Sequence, residues 1–277
     1  MKTVGVSGAS GFIGSHISAG LHRNGCRVIE FVRTPRSAEQ RLFNIGPDGL
    51  AIGETSDLDL FVHCAWCLKG APKAAAHANV ASSAALVEKL SATRTPVIFI
   101  SSMAAFPEAR SFYGRSKLLV EELVLLNGGV VLRPGTVYAT PNRGLVGAIE
   151  RCIRKIHIAP LFSGSGTRLY VVSIGELVEV VCEVAEDASL SEGKVLSIVE
   201  QPALSLTSFY KRIAREADTF VACIPVPASL CIALLKLCER FGLYLPIRSD
   251  SILSITHANP AIPAASANTR CVSSKKE

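Results

Sequence analysis

The first fifteen residues constrain this chain more than any other stretch. Lys2–Ser7 (KTVGVS) reads as a short buried strand, and GASGFIG then places Gly8, Gly11 and Gly14 three apart. Ser15–Asn24 (SHISAGLHRN) follows with the apolar spacing of a helix. Strand, tight glycine turn and helix together make a phosphate cradle. The glycines let backbone approach an anion, and the helix N-terminus offers unpaired N–H groups with a partial positive charge. The spacing is G-x-x-G-x-x-G, so the general dinucleotide fingerprint G-x-G-x-x-G is met only in part.

Downstream, strand and helix patterns alternate. Cys26–Arg33 (CRVIEFVR) is β-branched and aromatic and reads as a second strand. Gly49–Gly53 reads as a short third strand and Asp59–Ala65 (DLFVHCA) as a fourth, ending at Ala65-Trp66. An Ala-rich helix over Ala74–Ala92 contains Asn79, which could simply satisfy a neighbouring backbone group. Pro96–Ser101 (PVIFIS) reads as a fifth strand. This alternation predicts an α/β fold with a Rossmann-type doubly wound parallel sheet, whose ligands sit at the strand C-termini.

At 277 residues the chain can bury a large core. A hydrophobic share of 49% with 19% charged residues excludes a disordered chain. The net charge of +6 suits a phosphorylated small molecule and is too diffuse for nucleic acid. Nine scattered cysteines favour reduced thiols and a cytoplasmic setting, and no signal peptide is expected. Cys64 and Cys67 form a C-x-x-C pair with no second pair to complete a zinc site, so no metal is expected.

The end of the second strand selects the cofactor. An acid there holds the ribose of NAD, whereas a basic residue accommodates the 2′-phosphate of NADP. This strand runs into Arg33 and Arg36, with Glu30 two residues too early, and NADP is favoured over NAD. The plainer alternative is that both arginines are solvated loop charges.

Chemistry concentrates at the fifth strand. Ser101 and Ser102 lie at its C-terminal end, and Tyr113-Gly-Arg-Ser-Lys117 opens the next helix. Tyr113 and Lys117, four apart, fall on one helix face. A cation so placed is expected to lower a tyrosine pKa from its usual ~10 toward the working pH. Such a tyrosine can exchange a proton with a substrate oxygen that a Ser102 hydroxyl also holds.

Together these motifs resemble the extended (or atypical) short-chain dehydrogenase/reductases of the NAD-dependent epimerase/dehydratase type. The similarity covers most of Met1 to about Ala185 and runs through SGASGFIG, FVHCAW, Asn79, FISSMAAF, YGRSK, VVLRPGTVY and RLYVVSIGEL. The resemblance implies that Tyr113 is the acid/base and Lys117 the ribose-binding residue that tunes it. It implies further that Ser102 polarises the reacting oxygen, Asn79 orders a proton relay, and Ser101 steadies the strand end. Cofactor contacts are implied at Gly8, Ser10, Gly11, Phe12, Ile13, Gly14, Ala65, Lys117 and Pro134, beside Arg33 and Arg36. The chain departs from the family pattern in a shorter loop from Ser102 to Tyr113, in Phe106-Pro107, and in Glu176. The short loop implies a cut-down substrate mouth.

The resemblance also places Ala139–Gly166, with a basic helix (Val146–Lys155) and the turn SGSGTR, at the substrate. Arg143, Arg151 and Arg168 are candidates to grip a diphosphate, with solvated helix charges as the alternative for each. The expected substrate, which would also meet Ser102 and Tyr113, is a nucleotide sugar. The alternatives are a small ketone or aldehyde, or a non-catalytic dinucleotide-sensing protein. Domain expectations are a dinucleotide-binding unit over 1–200 (with 136–167 reaching the substrate), a small helical substrate lobe over 201–260, and a loose tail over 261–277. The apolar helix within 225–238 is too short to span a bilayer. It is expected to serve the lobe or a homodimer, and membrane-surface contact is not expected.

Overall fold

The computed structural model describes residues 1–46, 49–162, 168–187, 193–243, 245 and 247–257, with 269–273 as backbone. Most of the SGSGTR turn and most of 261–277 lie outside the described residues. The first half alternates regularly: β1 (Thr3–Ser7), α1 (Phe12–Arg23), β2 (Arg27–Val32), β3 (Gln40–Gly46), β4 (Gly49–Ile52), β5 (Leu60–His63), α2 (Pro72–Ala92), β6 (Val97–Ile100), α3 (Phe112–Leu126) and β7 (Val130–Pro134). Shorter pieces follow: β8 (Thr136–Tyr138), α4 (Gly144–Ile156), β9 (Ile158–Phe162), β10 (Arg168–Leu169), β11 (Val171–Ser173) and α5 (Ile174–Glu186). The chain continues through β12 (Val195–Gln201), β13 (Leu204–Ser205), α6 (Leu206–Glu216), β14 (Ala222–Val226), α7 (Ala228–Arg240), α8 (Ser249–Thr256) and β15 (Thr269–Ser273).

Nine strands form the main sheet in the order β15-β12-β7-β6-β5-β1-β2-β3-β4. The connection leaves β1 for β2 on one side and returns to β5 on the other, so the switch point lies beside β1, where an open sheet binds ligands. Within this sheet all pairings are parallel except β3–β4. Two expectations are corrected here. GLAIG does form a strand, but as β4 rather than the third of a parallel series: it pairs antiparallel with β3, a strand that the pattern did not reveal. β3 ends at 46 and β4 begins at 49, far short of the dozen or more residues that a parallel crossover needs. Residues 269–273, placed in a loose tail, instead add a parallel edge strand to β12. Their sequence TRCVS is rich in strand-favouring residues, and β12 offers an open ladder.

Strand alternation sends side chains to two cores. Val4, Val6, Val62, Ile98 and Leu132 meet α1 and α5 through Ile17, Leu21, Leu177 and Val181. Phe31, Phe61, Phe99 and Val131 meet α2 and α3 through Leu86, Leu90, Val120 and Val124. A third core joins α4 and β9 to α6 and α8, through Val146, Ile153, Phe162, Phe209, Tyr210 and Ile252. It is braced by the small parallel pair β9–β14. The inner side of α7 packs on it through Cys231, Ile232 and Leu235.

Candidate active site

The glycine turn forms at the C-terminal end of β1. Gly8 adopts φ +68°, and a Cβ there would lie 2.9 Å from the Ala65 backbone. A Cβ on Gly14 would lie 2.3 Å from the Gly8 carbonyl oxygen. Gly11 stands at the N-cap of α1, where no side chain caps the helix and no acid occupies the first turn. The first-turn N–H groups and the helix dipole are thereby left to an anion. This cradle fits a dinucleotide pyrophosphate. Ser10 lies in the exposed turn, whereas Phe12, Ile13 and Pro134 face the cavity described below. Arg33 and Arg36 are both exposed beyond β2. Glu30 accepts a hydrogen bond from Gln40 Nε2 at 2.9 Å, which engages the acid within the sheet.

Beside the turn, a buried relay ties β1 to β5. Ser7 Oγ accepts the N–H groups of Cys64 and Ala65 at 3.1 and 3.2 Å, so its own proton goes to His63 Nδ1 at 2.8 Å. His63 is therefore the Nε2–H tautomer, donating to Ser83 Oγ at 3.0 Å. Burial, assisted by the Lys117 charge, depresses the His63 pKa to about 3 and keeps the ring neutral.

Lys117 lies in the buried centre of the site. Its Nζ donates to the Ile100 carbonyl at 2.7 Å and sits 3.8 Å from the Trp66 ring centroid. Desolvation lowers its pKa to about 7, against the partial support of Cys64 and Glu121. Tyr113 and Ser102 line the same cavity, and the Ser102 hydroxyl acts to lower the Tyr113 pKa. The expectation that Lys117 lowers the Tyr113 pKa is not met. Burial raises the Tyr113 hydroxyl, the neighbouring Ser102 side chain opposes this, and the Lys117 Nζ stands 5.9 Å from the phenol ring centroid, turned to Ile100 and Trp66. Tyr113 keeps some exposure, but its packing is dense enough for desolvation to dominate.

Ser101 takes a supporting part. Its hydroxyl donates to Glu121, which also receives the Arg133 guanidinium, an ion pair set beneath the strand ends. Asn79 is buried, and both ends of its amide engage the Cys67 backbone at 2.8 Å. It fixes the loop that carries Trp66. Glu176 closes a capping box with Ser173 at the start of α5. Cys64 is an inert thiol, pushed up to about 12 by burial, and among the described residues no cluster could hold a metal.

One cavity of about 570 Å³ joins these parts. It runs from Phe12 and Ile13 past Ser102, Tyr113 and Asn79 to Arg143, Arg151 and Arg168. Among the described residues none of these three arginines forms an ion pair, and all three are exposed. Leu68, Met103, Leu145 and Ile255 give the cavity an apolar wall. Trp66, Arg248 and Asp250 also line it, and sequence reasoning gave none of them a role. Trp66 carried a signal as the single tryptophan after a strand end; Arg248 and Asp250 carried none, because their partners lie far away in sequence.

Comparison with known families decides the kinship. The model of the NAD dependent epimerase/dehydratase family matches residues 4–198, most of the chain and every strand of the main sheet except β15, the first residue of β1 and the last residues of β12. The chain belongs to the NAD-dependent epimerase/dehydratase family. This family member is an enzyme of the epimerase, dehydratase or reductase type that uses a nicotinamide dinucleotide. Its fold resembles UDP-glucuronic acid 4-epimerase from Bacillus cereus in complex with NAD, at 18% identity over 92% of this chain and 95% of that one, with a TM-score of 0.66. UDP-glucose 4-epimerase from Thermotoga maritima matches at 18% identity over 92% and 97%, with a TM-score of 0.63. dTDP-4-dehydrorhamnose reductase from Yersinia enterocolitica matches at 16% over 83% and 85%, with a TM-score of 0.64. No curated protein sequence matches this family member. Among its described residues no helix is long and apolar enough to cross a membrane.

Proposed function

We propose that this enzyme interconverts or reduces a nucleotide-linked sugar, with Tyr113 as proton donor and acceptor. The observation that carries the reading is one cavity that runs from Phe12 and Ile13 in the first turn of α1, past Ser102 and Tyr113, to three arginines. Bound at the cradle, the dinucleotide supplies hydride-transfer capacity. The α1 N-terminus holds its pyrophosphate, Lys117 holds the ribose, and Arg33 and Arg36 favour the 2′-phosphate of NADP over NAD. Ser102 and Tyr113 hold the reacting oxygen between their hydroxyls. The raised Tyr113 pKa keeps its proton available for donation to the reacting oxygen. Asn79 acts by positioning, through its grip on Cys67, and its place on the cavity wall suits the relay that the resemblance implies. Arg143, Arg151 and Arg168 present forked guanidinium groups that suit a diphosphate. Nucleotide sugars are bound by structurally similar proteins, the Thermotoga maritima epimerase among them. Eight described cysteines are all free, which suits a cytoplasmic enzyme.

The apolar wall of Leu68, Met103, Leu145 and Ile255 supports a second reading, reduction of a smaller ketone or aldehyde. A thermal-shift screen separates the two. UDP-, GDP- and dTDP-sugars, tested with NADPH and with NADH, should include a clear stabiliser, worth about 2.7 kcal/mol at a hundredfold excess over Kd. Arg151→Ala or Arg168→Ala should blunt that shift, and NADPH should stabilise more than NADH. Reduction of simple ketones with no response to any nucleotide sugar would overturn the first reading.

A further inference from the structure

Among the polar groups that line the cavity, Asp250 has distinctive partners. It belongs to α8, on the third core, yet both its oxygens accept hydrogen bonds from the first turn of α3. Oδ1 takes the Phe112 N–H at 2.7 Å and Oδ2 the Tyr113 N–H at 2.9 Å. Ser111 Oγ takes the next donor, the Gly114 N–H, at 3.0 Å. No acid stands in the first turn of α3 itself, so the negative charge that a helix N-terminus favours comes from a residue 137 positions away. Hydrogen bonds to a carboxylate are roughly twice as strong as neutral ones. Asp250 is only 8% exposed, which limits competition from water.

The same helix walls the cavity through Ser251, Ser254 and Ile255. Arg248, just before it, donates to the Gly70 carbonyl at 2.6 Å, in the loop that carries Trp66. Ser249 is tied to Glu239 of α7 through its N–H at 3.0 Å and its hydroxyl at 2.8 Å. So α8 meets the cavity with one set of side chains and the Tyr113 backbone with Asp250. We propose that Asp250 is a positioning residue for Tyr113, coupling the seating of the α8 wall to the placement of the Tyr113 hydroxyl against Ser102. The inference rests on Tyr113 being the acid/base. A ligand that packs against α8 then sets Tyr113, whereas one filling only the dinucleotide side does not.

Asp250→Asn tests this, because an amide offers one acceptor oxygen for two N–H donors and carries no charge. Trp66, the only tryptophan of the chain, stands edge-on to Tyr113 with ring centroids 6.2 Å apart, so its emission reports Tyr113 placement without any turnover. The variant is expected to shift Trp66 emission and leave NAD binding within about twofold. With the nucleotide sugars of the screen it is expected to lower kcat roughly 10²-fold, the scale of a misplaced reacting group, with little change in KM. In a Tyr113→Phe background the same change should cost no further rate, since both act through one hydroxyl. A folded Asp250→Asn with unchanged emission and rate overturns the inference, and so do additive losses. Tyr113→Phe turning over like wild type overturns the acid/base reading instead, and then the emission shift alone decides whether Asp250 positions Tyr113. Should Asp250→Asn not fold, Asp250→Glu keeps two acceptors on a longer arm. That variant is expected to fold with an intermediate emission shift, and its absence counts against the inference equally.

Discussion

The sheet half of the molecule and the wall built on the third core are held by different physics. α2 buries Ala75, Asn79, Ser82, Ser83, Leu86, Val87 and Leu90, and α3 buries a comparable face, both against an all-buried layer of strands. By contrast α7 fully buries none of its residues, and Leu230, Leu234 and Leu237 are each more than half exposed. Its neighbour α8 is fixed largely by specific polar ties: Asp250 to α3, Arg248 to Gly70, and Ser249 to Glu239. Substitutions in the sheet half should therefore act on folding, and substitutions at the polar ties on the geometry of the site.

The sharpest contrast comes from truncating the sheet. Phe61 is fully buried and packs edge-on against Phe31, with ring centroids 5.0 Å apart. Phe61→Ala should cost about 3–5 kcal/mol in denaturant unfolding, and a loss below about 1 kcal/mol would break the comparison. Next in size, Gly14→Ala drives a Cβ into the Gly8 carbonyl oxygen and should weaken dinucleotide binding at least tenfold, about 1.4 kcal/mol. Calorimetry giving wild-type affinity would remove the cradle from the account.

Two buried cations-in-waiting sharpen the comparison through pH. The His63 pKa is about 3 in the fold, against ~6.5 in an unfolded chain, so the unfolded state binds the extra proton between them. Stability from this group is complete above pH ~6.5 and is lost as pH falls toward 3. For Lys117 the same sign applies between about 7 and ~10.5, with stability rising as pH rises. His63→Gln should flatten the fall in Tm between pH 6.5 and 5, above the main carboxylate range; an unchanged slope would mean that His63 is not the group responsible. Smallest of all, Leu234→Ser on the exposed side of α7 should alter stability by no more than about 0.5 kcal/mol. A larger loss in the isolated chain would show that this face is covered.

What the sequence disclosed follows the same division. β1, the glycine turn and α1 were legible because each signal is local: a short apolar run, three spaced glycines, a helical period. Ser102, Tyr113 and Lys117 stood out as a constellation; the first two line the cavity, while Lys117 lies buried with its Nζ on the Ile100 carbonyl. β3 was not, since only Phe43 of its seven residues is buried and no alternation stands out. The Tyr113 pKa was misjudged because four-residue spacing says nothing about burial, or about the Ile100 carbonyl and Trp66 ring that draw Lys117 away. Asp250 and the Glu121–Arg133 pair were illegible for a third reason. Their partners come together only when the lobe and the strand ends are assembled.

The central claim is that Tyr113 moves the proton for a sugar-nucleotide substrate bound across this cavity. It is tested most directly by comparing wild type with Tyr113→Phe in product formation from UDP-, GDP- and dTDP-sugars with NADP and NAD, followed by NMR. The ring and its packing beside Trp66 survive in the variant, and only the hydroxyl is lost. The account predicts that wild type converts at least one of these sugars, and that Tyr113→Phe, binding dinucleotide normally, is slower by roughly 10²–10⁴-fold. Conversion by the variant at the wild-type rate would contradict it.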